Sequence, residues 1–493
     1  MKKIVALLLA MAMILALAAC GAKTEAPAAA QPTTGSTGTT TTTQTTGGDT
    51  TTGETETFKL EVVKGSNESA SGKTDKDVYI DIWGIYGDTN HRAEWIRAQG
   101  EAFAAEFEAE YGVSVCIEYY SQNDYGGVAT KLAAGVSGGA LPVLSQISSQ
   151  QAIVFAPLCD DISKYLSEEG LNNYVDSLLA SCIDADGKVF GVPSGRSSVA
   201  YIVNMDLIEA AGYTLEDVQT WNWEKFHEIM AACAALGDDI EGIGLYWDTD
   251  AWFWESALYS NGGYIDNADG TKILFHEDGN GGQFLDLVAE MTADGSMCNL
   301  YNEYHYKEVD DALDVMFVDG KLACRMGSIS TYGTYKNMMN EKGVTVNQYM
   351  APQPAGDGGF SHCGGGNNML FLNQSTETQK FVAAKFMEYL ARPEVDLSWN
   401  DCSGYMPVNE LTYESEGYKA LIAADPGYAL AELTPYVHAF PVTERWAEVR
   451  SYLMDGLIAW AQDPEACKAQ YGGTTDSVVE AWAAHSQSIL DEM

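Results

Sequence analysis

The seven histidines of this 493-residue chain stand in no HxH or HExxH spacing, so no helix face offers paired imidazoles to a metal. Two Asp-rich stretches, IDADGKVFGVP around Asp186-Gly187 and YIDNADGTKILF around Asp269-Gly270, invite a calcium reading. Neither supplies oxygen ligands at alternate positions and a Glu at the twelfth, and Asp-Gly between apolar runs is a turn signal in its own right. Cleaving a glycoside would need two carboxylates at a set separation. With 70 Asp and Glu the sequence singles out no such pair, so a secreted glycoside hydrolase remains only an alternative. Nothing implies a cofactor or a resident metal. Arg196, Arg445 and Arg450 carry a different chemistry, because a guanidinium in a cleft pairs bidentately with phosphate or carboxylate. The clearest covalent chemistry belongs to Cys20. It closes Leu17-Ala18-Ala19-Cys20, after a basic Lys2-Lys3 and an uncharged apolar run from Ile4 to Leu17. That run is short for a bilayer span and suits a signal peptide over 1–19. A leucine three residues before the cysteine makes a lipobox, in which Cys20 is lipidated and becomes the mature N-terminus.

The elements that would carry the remaining chemistry begin only after a long tether. Residues 20–76 are mostly Thr, Gly, Ser, Ala, Gln and Pro, too poor in apolar surface to offset the entropy of ordering. A flexible chain of that length reaches about 40 Å, enough to lift a domain off a membrane and partly into a Gram-positive cell wall. The remainder is long enough for two packed lobes. A formal charge of −43 excludes nucleic acid, whose phosphates require clustered Lys and Arg. Besides Cys20 there are nine cysteines, an odd number without a CxxC, which reads as buried small side chains rather than a disulfide framework.

The folded part opens with an α/β rhythm. Val78, Ile80 and Ile82 alternate as a strand. A helix runs from about Asn90 to Tyr111, with Asn90 or Thr89 at its start, Gly112 at its stop and Trp95, Ile96, Phe103 and Phe107 on one face. A strand over Val113 to Tyr119, a helix over Tyr125 to Val136 and a strand through Leu141 to Ile147 complete βαβαβ, which gathers ligand groups at the carboxyl ends of its strands.

From Gly191 the sequence GVPSGRSSVAYIVNMDLIEAAGY resembles the family 1 extracellular solute-binding proteins of ABC importers, with Asn204 and Asp206 as its Asn-x-Asp pair. Further matches follow in family order: TWNWEKFHEIMAACAAL (220–236), WFWESALYSNGG (252–263), FVDGKLACRMGS (317–328), APQPAGDGGFSHCGGGNNMLF (351–371), and the helix and loop over 386–408. The resemblance spans nearly all of 77–493.

It implies an α/β, two-lobe periplasmic-binding-protein-like fold of type II, with a ligand cleft between lobes and a flexible N-terminal tether. Lobe 1 would take 77–194 plus 367–400, and lobe 2 would take 195–366 plus 401–493. It implies a monomeric lipoprotein on the outer face of the cell membrane, lipid-anchored, that binds a carbohydrate, delivers it to the transmembrane subunits of an ABC permease and catalyses nothing. The matched positions give a candidate site: Trp252 or Trp254 for stacking, Glu255 as acceptor, and Ser197, Ser198 and Ser328 as donors. Gly365 and Asn367 would bring backbone amides close, and Tyr405, Tyr125 and Ser148 complete it. Two tryptophans two residues apart cannot share a helix face, so only one lines a cleft. Arg445 lies loosely where glycerol-phosphate binders take an arginine, which leaves a glycerol-phosphate or phosphodiester receptor as the first alternative. Ser148 stands where an acidic residue would be expected of those binders, which puts a neutral saccharide ahead.

Overall fold

A computed structural model describes residues 62–65, 69–247, 251–267, 270–360, 362–426, 437–438 and 445–492. Cys20, the signal peptide and most of the tether lie outside these. Among the described residues no helix is long and apolar enough to cross a membrane.

The first lobe is built as its alternation predicts. β1 (Val78–Gly84) pairs in parallel with β2 (Val115–Ser121) on one side and β3 (Leu144–Ser148) on the other. Helix α1 (His91–Tyr111) starts where the Asn90 side chain accepts from the Arg92 amide at 2.9 Å, and stops at Gly112, whose φ of 66° suits glycine. Helix α2 (Tyr125–Gly138) starts after Asn123, in the left-handed region at φ 73°, with Asp124 Oδ1 accepting from Gly127 N at 2.7 Å. The second and third strands lie two or three residues later than their apolar residues suggested.

Two long strands then join the halves. β4 (Gly191–Asn204) is the pivot of the molecule. Its residues 191–198 run antiparallel to β9 (His362–Phe371), while 199–203 pair with β7 (Leu322–Ser328) and 201–204 with β8 (Gln348–Ala351). β9 also pairs antiparallel with β3, and a two-residue strand, β10 (Val437–His438), runs parallel to its first residues. The second sheet continues from β7 to β5 (Glu241–Gly244) and β6 (Met297–Cys298). β4 changes partners between Ser198 and Val199, so the crossing lies a few residues beyond the expected boundary at 194.

The segment after 400 differs more. Asp396, in helix α3 (Pro393–Ser403), accepts from Val408 N at 3.0 Å, Asn409 N at 3.1 Å and Thr412 Oγ1 at 2.7 Å. Val175 N donates to Val408 O and Glu410 N to Asn173 O, both at 2.9 Å. These bonds tie residues 404–412 to the first lobe, correcting their assignment to the second. Helix α4 (Trp446–Gln462), followed by α5 (Thr475–Asp491), packs against residues of the second lobe, where Trp460 Nε1 donates to Leu285 O at 3.1 Å.

The Asp186-Gly187 sequence makes a turn closed by the bridge between Ile183 and Val189; a bridge between Asp266 and Ile273 flanks the second sequence, whose Asp269 lies outside the described residues. Gly187 and Gly270 take the positive φ, 81° and 65°, that such turns require. None of the eight cysteines whose side chains are described is paired, and Cys159, Cys182, Cys233, Cys324 and Cys467 are buried as small apolar groups.

Candidate solute-binding site

Residues alternate across the β4–β9 ribbon, so its crossing presents two faces. One carries Ser197, Gly365 and Asn367, beside Ser148 at the end of β3, which is in register with Asn367. On this face Ser197 Oγ lies 2.5 Å from Ser328 Oγ, which lies 2.9 Å from Ser330 Oγ. Ser328 caps a second-lobe helix (Ile329–Lys342), so this hydroxyl chain runs from the ribbon into the second lobe. Trp252 also comes from the second lobe. A Cβ at Gly365 would sit 2.6 Å from its Cζ2, so the indole rests on bare backbone that only glycine provides. Asn367 is fully buried, with Oδ1 accepting from Ser194 Oγ at 2.6 Å and Nδ2 donating to Tyr86 OH at 3.2 Å. Ser148 Oγ donates to Gln150 Oε1 at 2.7 Å.

Three tyrosines converge at the first-lobe end of this face, and each is placed by its own backbone device. Tyr86 follows β1, where its amide donates to Tyr119 OH at 2.9 Å and Gly84 leaves the room that the Tyr119 ring fills. Tyr125 is the first residue of α2. Tyr405 follows Gly404, the φ 72° stop of α3; its carbonyl accepts from Asn400 Nδ2 at 2.5 Å, and Met406 N donates to Arg196 O at 2.8 Å. Burial, and then the nearby Tyr405 hydroxyl, push the Tyr86 and Tyr125 phenols well above their ordinary range. Both therefore stay neutral and can donate. The Arg92 guanidinium covers two of the rings, 5.3 Å from the Tyr405 centroid and 5.7 Å from that of Tyr86, and Nη2 donates to Ser403 O at 2.8 Å.

The opposite face of the ribbon carries Arg196, Ser198, His362 and Asn368. His362 Nδ1 donates to Phe360 O at 2.8 Å, which leaves Nε2 to accept from Ser198 Oγ at 2.5 Å. Burial lowers this imidazole to about 4, so it is neutral, and it commits the Ser198 hydroxyl away from the other predicted groups. Arg196 is 1 % exposed, with Nη1 donating to Asn368 Oδ1 at 3.1 Å. Burial lowers its guanidinium to about 10, which leaves it charged at neutral pH.

Thus Tyr125, Ser148, Ser197, Trp252, Ser328, Gly365, Asn367 and Tyr405 are brought to one face of the crossing, and four predicted residues are not. Trp254 is core: Nε1 donates to Gly281 O at 3.0 Å and its ring meets Phe275 edge-on. Glu255 is fully buried on Arg450, accepting from Nε at 2.8 Å and Nη2 at 2.5 Å, so it is not an open acceptor. Arg445 starts α4 and pairs with Glu448 and, at 3.5 Å, Glu492. Ser198 is the fourth. Tyr86 and Arg92 were missed. The signal for Tyr86 was its place just beyond the first predicted strand, at the edge where such folds gather ligand groups.

The described residues contain no cluster of three or more metal-ligating side chains. A GxSxG string does occur, Gly135 to Gly139, but it closes helix α2, whereas an exposed serine nucleophile requires a strand-to-helix turn. The hydrogen-bond partners of Ser197, Ser328, Asn367 and Tyr86 are hydroxyls, amides and backbone groups, none of them a carboxylate.

Known proteins share this architecture. The solved structure of a cyclic alpha-maltosyl-1,6-maltose binding protein from Arthrobacter globiformis superposes with a TM-score of 0.68 at 16% identity, covering 84% of this chain and 99% of that one. UgpB from Mycobacterium tuberculosis in complex with glycerophosphocholine gives 0.66 at 18% identity, over 84% and 98%. A binding protein of Brucella abortus is 24% identical over 358 residues, 71% of this chain and 82% of that one. An sn-glycerol-3-phosphate-binding periplasmic protein of Pectobacterium atrosepticum is 22% identical over 360 residues, 68% and 77%. Residues 102–427, well over half of the chain, match the family described as bacterial extracellular solute-binding protein, and the chain belongs to that family.

Proposed function

We propose that this protein captures a polyhydroxylated solute of the carbohydrate class between its lobes and hands it to the transmembrane subunits of an ABC importer. The observation that carries this reading is the composition of the crossing face. It joins the hydroxyls of Ser197 and Ser328 to the Asn367 amide, the Tyr86, Tyr125 and Tyr405 phenols and the Trp252 indole. A sugar offers hydroxyls that both donate and accept, together with a face of C–H bonds, and these groups match both. Relatives that bind a maltosyl sugar or glycerophosphocholine fit the same class. In this reading Cys20 carries the lipid that anchors the monomer outside the membrane, and catalysis has no part.

A thermal-shift screen of the full chain against mono- and oligosaccharides, polyols, glycerol phosphodiesters and short peptides tests it. A ligand that binds the native state adds about 2.7 kcal/mol at about 100 times its dissociation constant. The expected result is a shift with a saccharide or polyol that is recovered unchanged. A shift with peptides alone, or consumption of a glycan, would overturn the proposal.

A further inference from the structure

The arginines divide into two kinds. Arg97, Arg325, Arg392, Arg445 and Arg450 each pair with a carboxylate. In a chain of net charge −43, acidic partners are abundant, and pairing is the expected state of a guanidinium. Arg92 and Arg196 have no carboxylate partner among the described residues, and both flank the tyrosine cluster.

Arg92 lies over the Tyr86 and Tyr405 rings with one hydrogen bond, to Ser403 O, and its buried Nε has no acceptor. Arg196 lies across the ribbon, within electrostatic reach of the Tyr125 hydroxyl, and Met406, next to Tyr405, is bonded to its carbonyl. Its side chain is almost wholly buried, has one hydrogen bond to a neutral amide, and leaves Nε without an acceptor. Leaving a buried cation uncompensated is costly, and its field persists across several ångströms where water is excluded. The tyrosine hydroxyls and the Asn367 amide thus stand in a locally positive field, with no carboxylate among the described residues paired to either guanidinium.

We infer that Arg92 and Arg196 select a solute bearing an acidic group, a carboxylate or a phosphate, seated at the Tyr86–Tyr125–Tyr405 end of the site. This rests on the polyhydroxylated-solute reading and adds the charge. Phenol and amide groups would donate hydrogen bonds to the anion, while the two guanidiniums supply the compensating charge. Arg445, to which the phosphate alternative pointed, has its own carboxylates and takes no part.

Matched pairs test the inference by calorimetric titration of the full chain: D-glucose with D-glucuronate, D-galactose with D-galacturonate, and glycerol with sn-glycerol 3-phosphate. In at least one pair the acid should bind about tenfold or more tighter than its neutral counterpart, the scale of one charge-assisted hydrogen bond. The pair that responds distinguishes carboxylate from phosphate. Arg92→Gln should lower the acid-to-neutral ratio about tenfold, and Arg92→Lys, which keeps the charge, should lose less. Arg196→Met should lower the same ratio, with melting curves to verify that each variant is folded. Equal or tighter binding of every neutral member would overturn the inference and leave the polyol reading standing. So would an Arg92→Gln ratio equal to wild type. Binding of peptides alone would overturn both.

Discussion

The second lobe and the crossing both bury an arginine, but they treat it in opposite ways. Arg450 in α4 meets Glu255 with two hydrogen bonds, in a region where the carboxylate is fully inaccessible. Arg196 in β4 meets a neutral amide and leaves a donor unmatched. The same desolvation cost is thus offset by a fixed counter-charge in one place and not in the other. A core that need only stay folded is better neutralised, whereas a site that exchanges solute keeps a charge for what arrives. Asp396 shows a third treatment, a buried carboxylate held by two backbone amides and a hydroxyl, with no salt bridge to a cation among the described residues.

Breaking the compensated pair should have the largest effect. Glu255→Gln or Arg450→Met, each alone, leaves one charge buried without its partner and should cost about 3–5 kcal/mol of stability. Denaturant melts of the two singles and the double would measure this, with the double costing far less than the sum. Singles that cost under about 1 kcal/mol would erase the contrast with Arg196.

Asp396 sharpens it through pH. Burial pushes its carboxyl up to about 7, against an ordinary value of 3.8, although the Thr412 hydroxyl and the Val408 and Asn409 amides pull it down. The native state therefore holds this proton more tightly than the unfolded chain. That contribution is complete below about pH 4 and is lost as pH rises through about 7, for a swing of up to about 4 kcal/mol. Asp266 is raised in the same direction, so wild-type stability alone does not isolate the effect. The stability difference between Asp396→Asn and wild type does. It should move in the variant's favour by that amount from low to neutral pH, and a pH-independent difference would mean that Asp396 does not titrate there.

The fold was legible because periodicity and caps are local. Asn90, Gly112 and the alternation in β1 act within a few residues, and the first helix begins and ends where they indicate. The site was legible in its residue types and less so in their orientation. Trp252 and Trp254 could be recognised as facing apart, but only packing against Gly365 on one side and Phe275 on the other decides which is which. Glu255 and Arg450 are 195 residues apart in sequence, so no local pattern could have paired them. Ser197 and Ser198 look alike in the sequence, and the pleat of β4 sends one to Ser328 and the other to His362.

The glycine under Trp252 offers a smaller break. Gly365→Ala would place a methyl 2.6 Å from the indole, and the ring or the ribbon must shift. Overpacking of this kind costs about 1–3 kcal/mol. A lowered melting temperature together with altered tryptophan emission would report both the strain and the displaced ring. Unchanged emission would mean that the indole does not rest on this backbone.

The smallest expected change in stability is the most informative. Arg196→Met removes a buried charge that lacks a counter-ion and replaces it with an apolar side chain of similar length. The lost bond to Asn368 costs on the order of 1 kcal/mol, while the desolvation penalty that disappears is of at least that size. The solute-free variant should therefore be as stable as wild type or more stable by about 1 kcal/mol, the opposite sign to Arg450→Met. If instead it lost 3 kcal/mol or more, on the scale of a broken buried pair, Arg196 would have to be compensated in the free protein. The crossing would then be one more neutralised core, with no charge held in reserve for a solute.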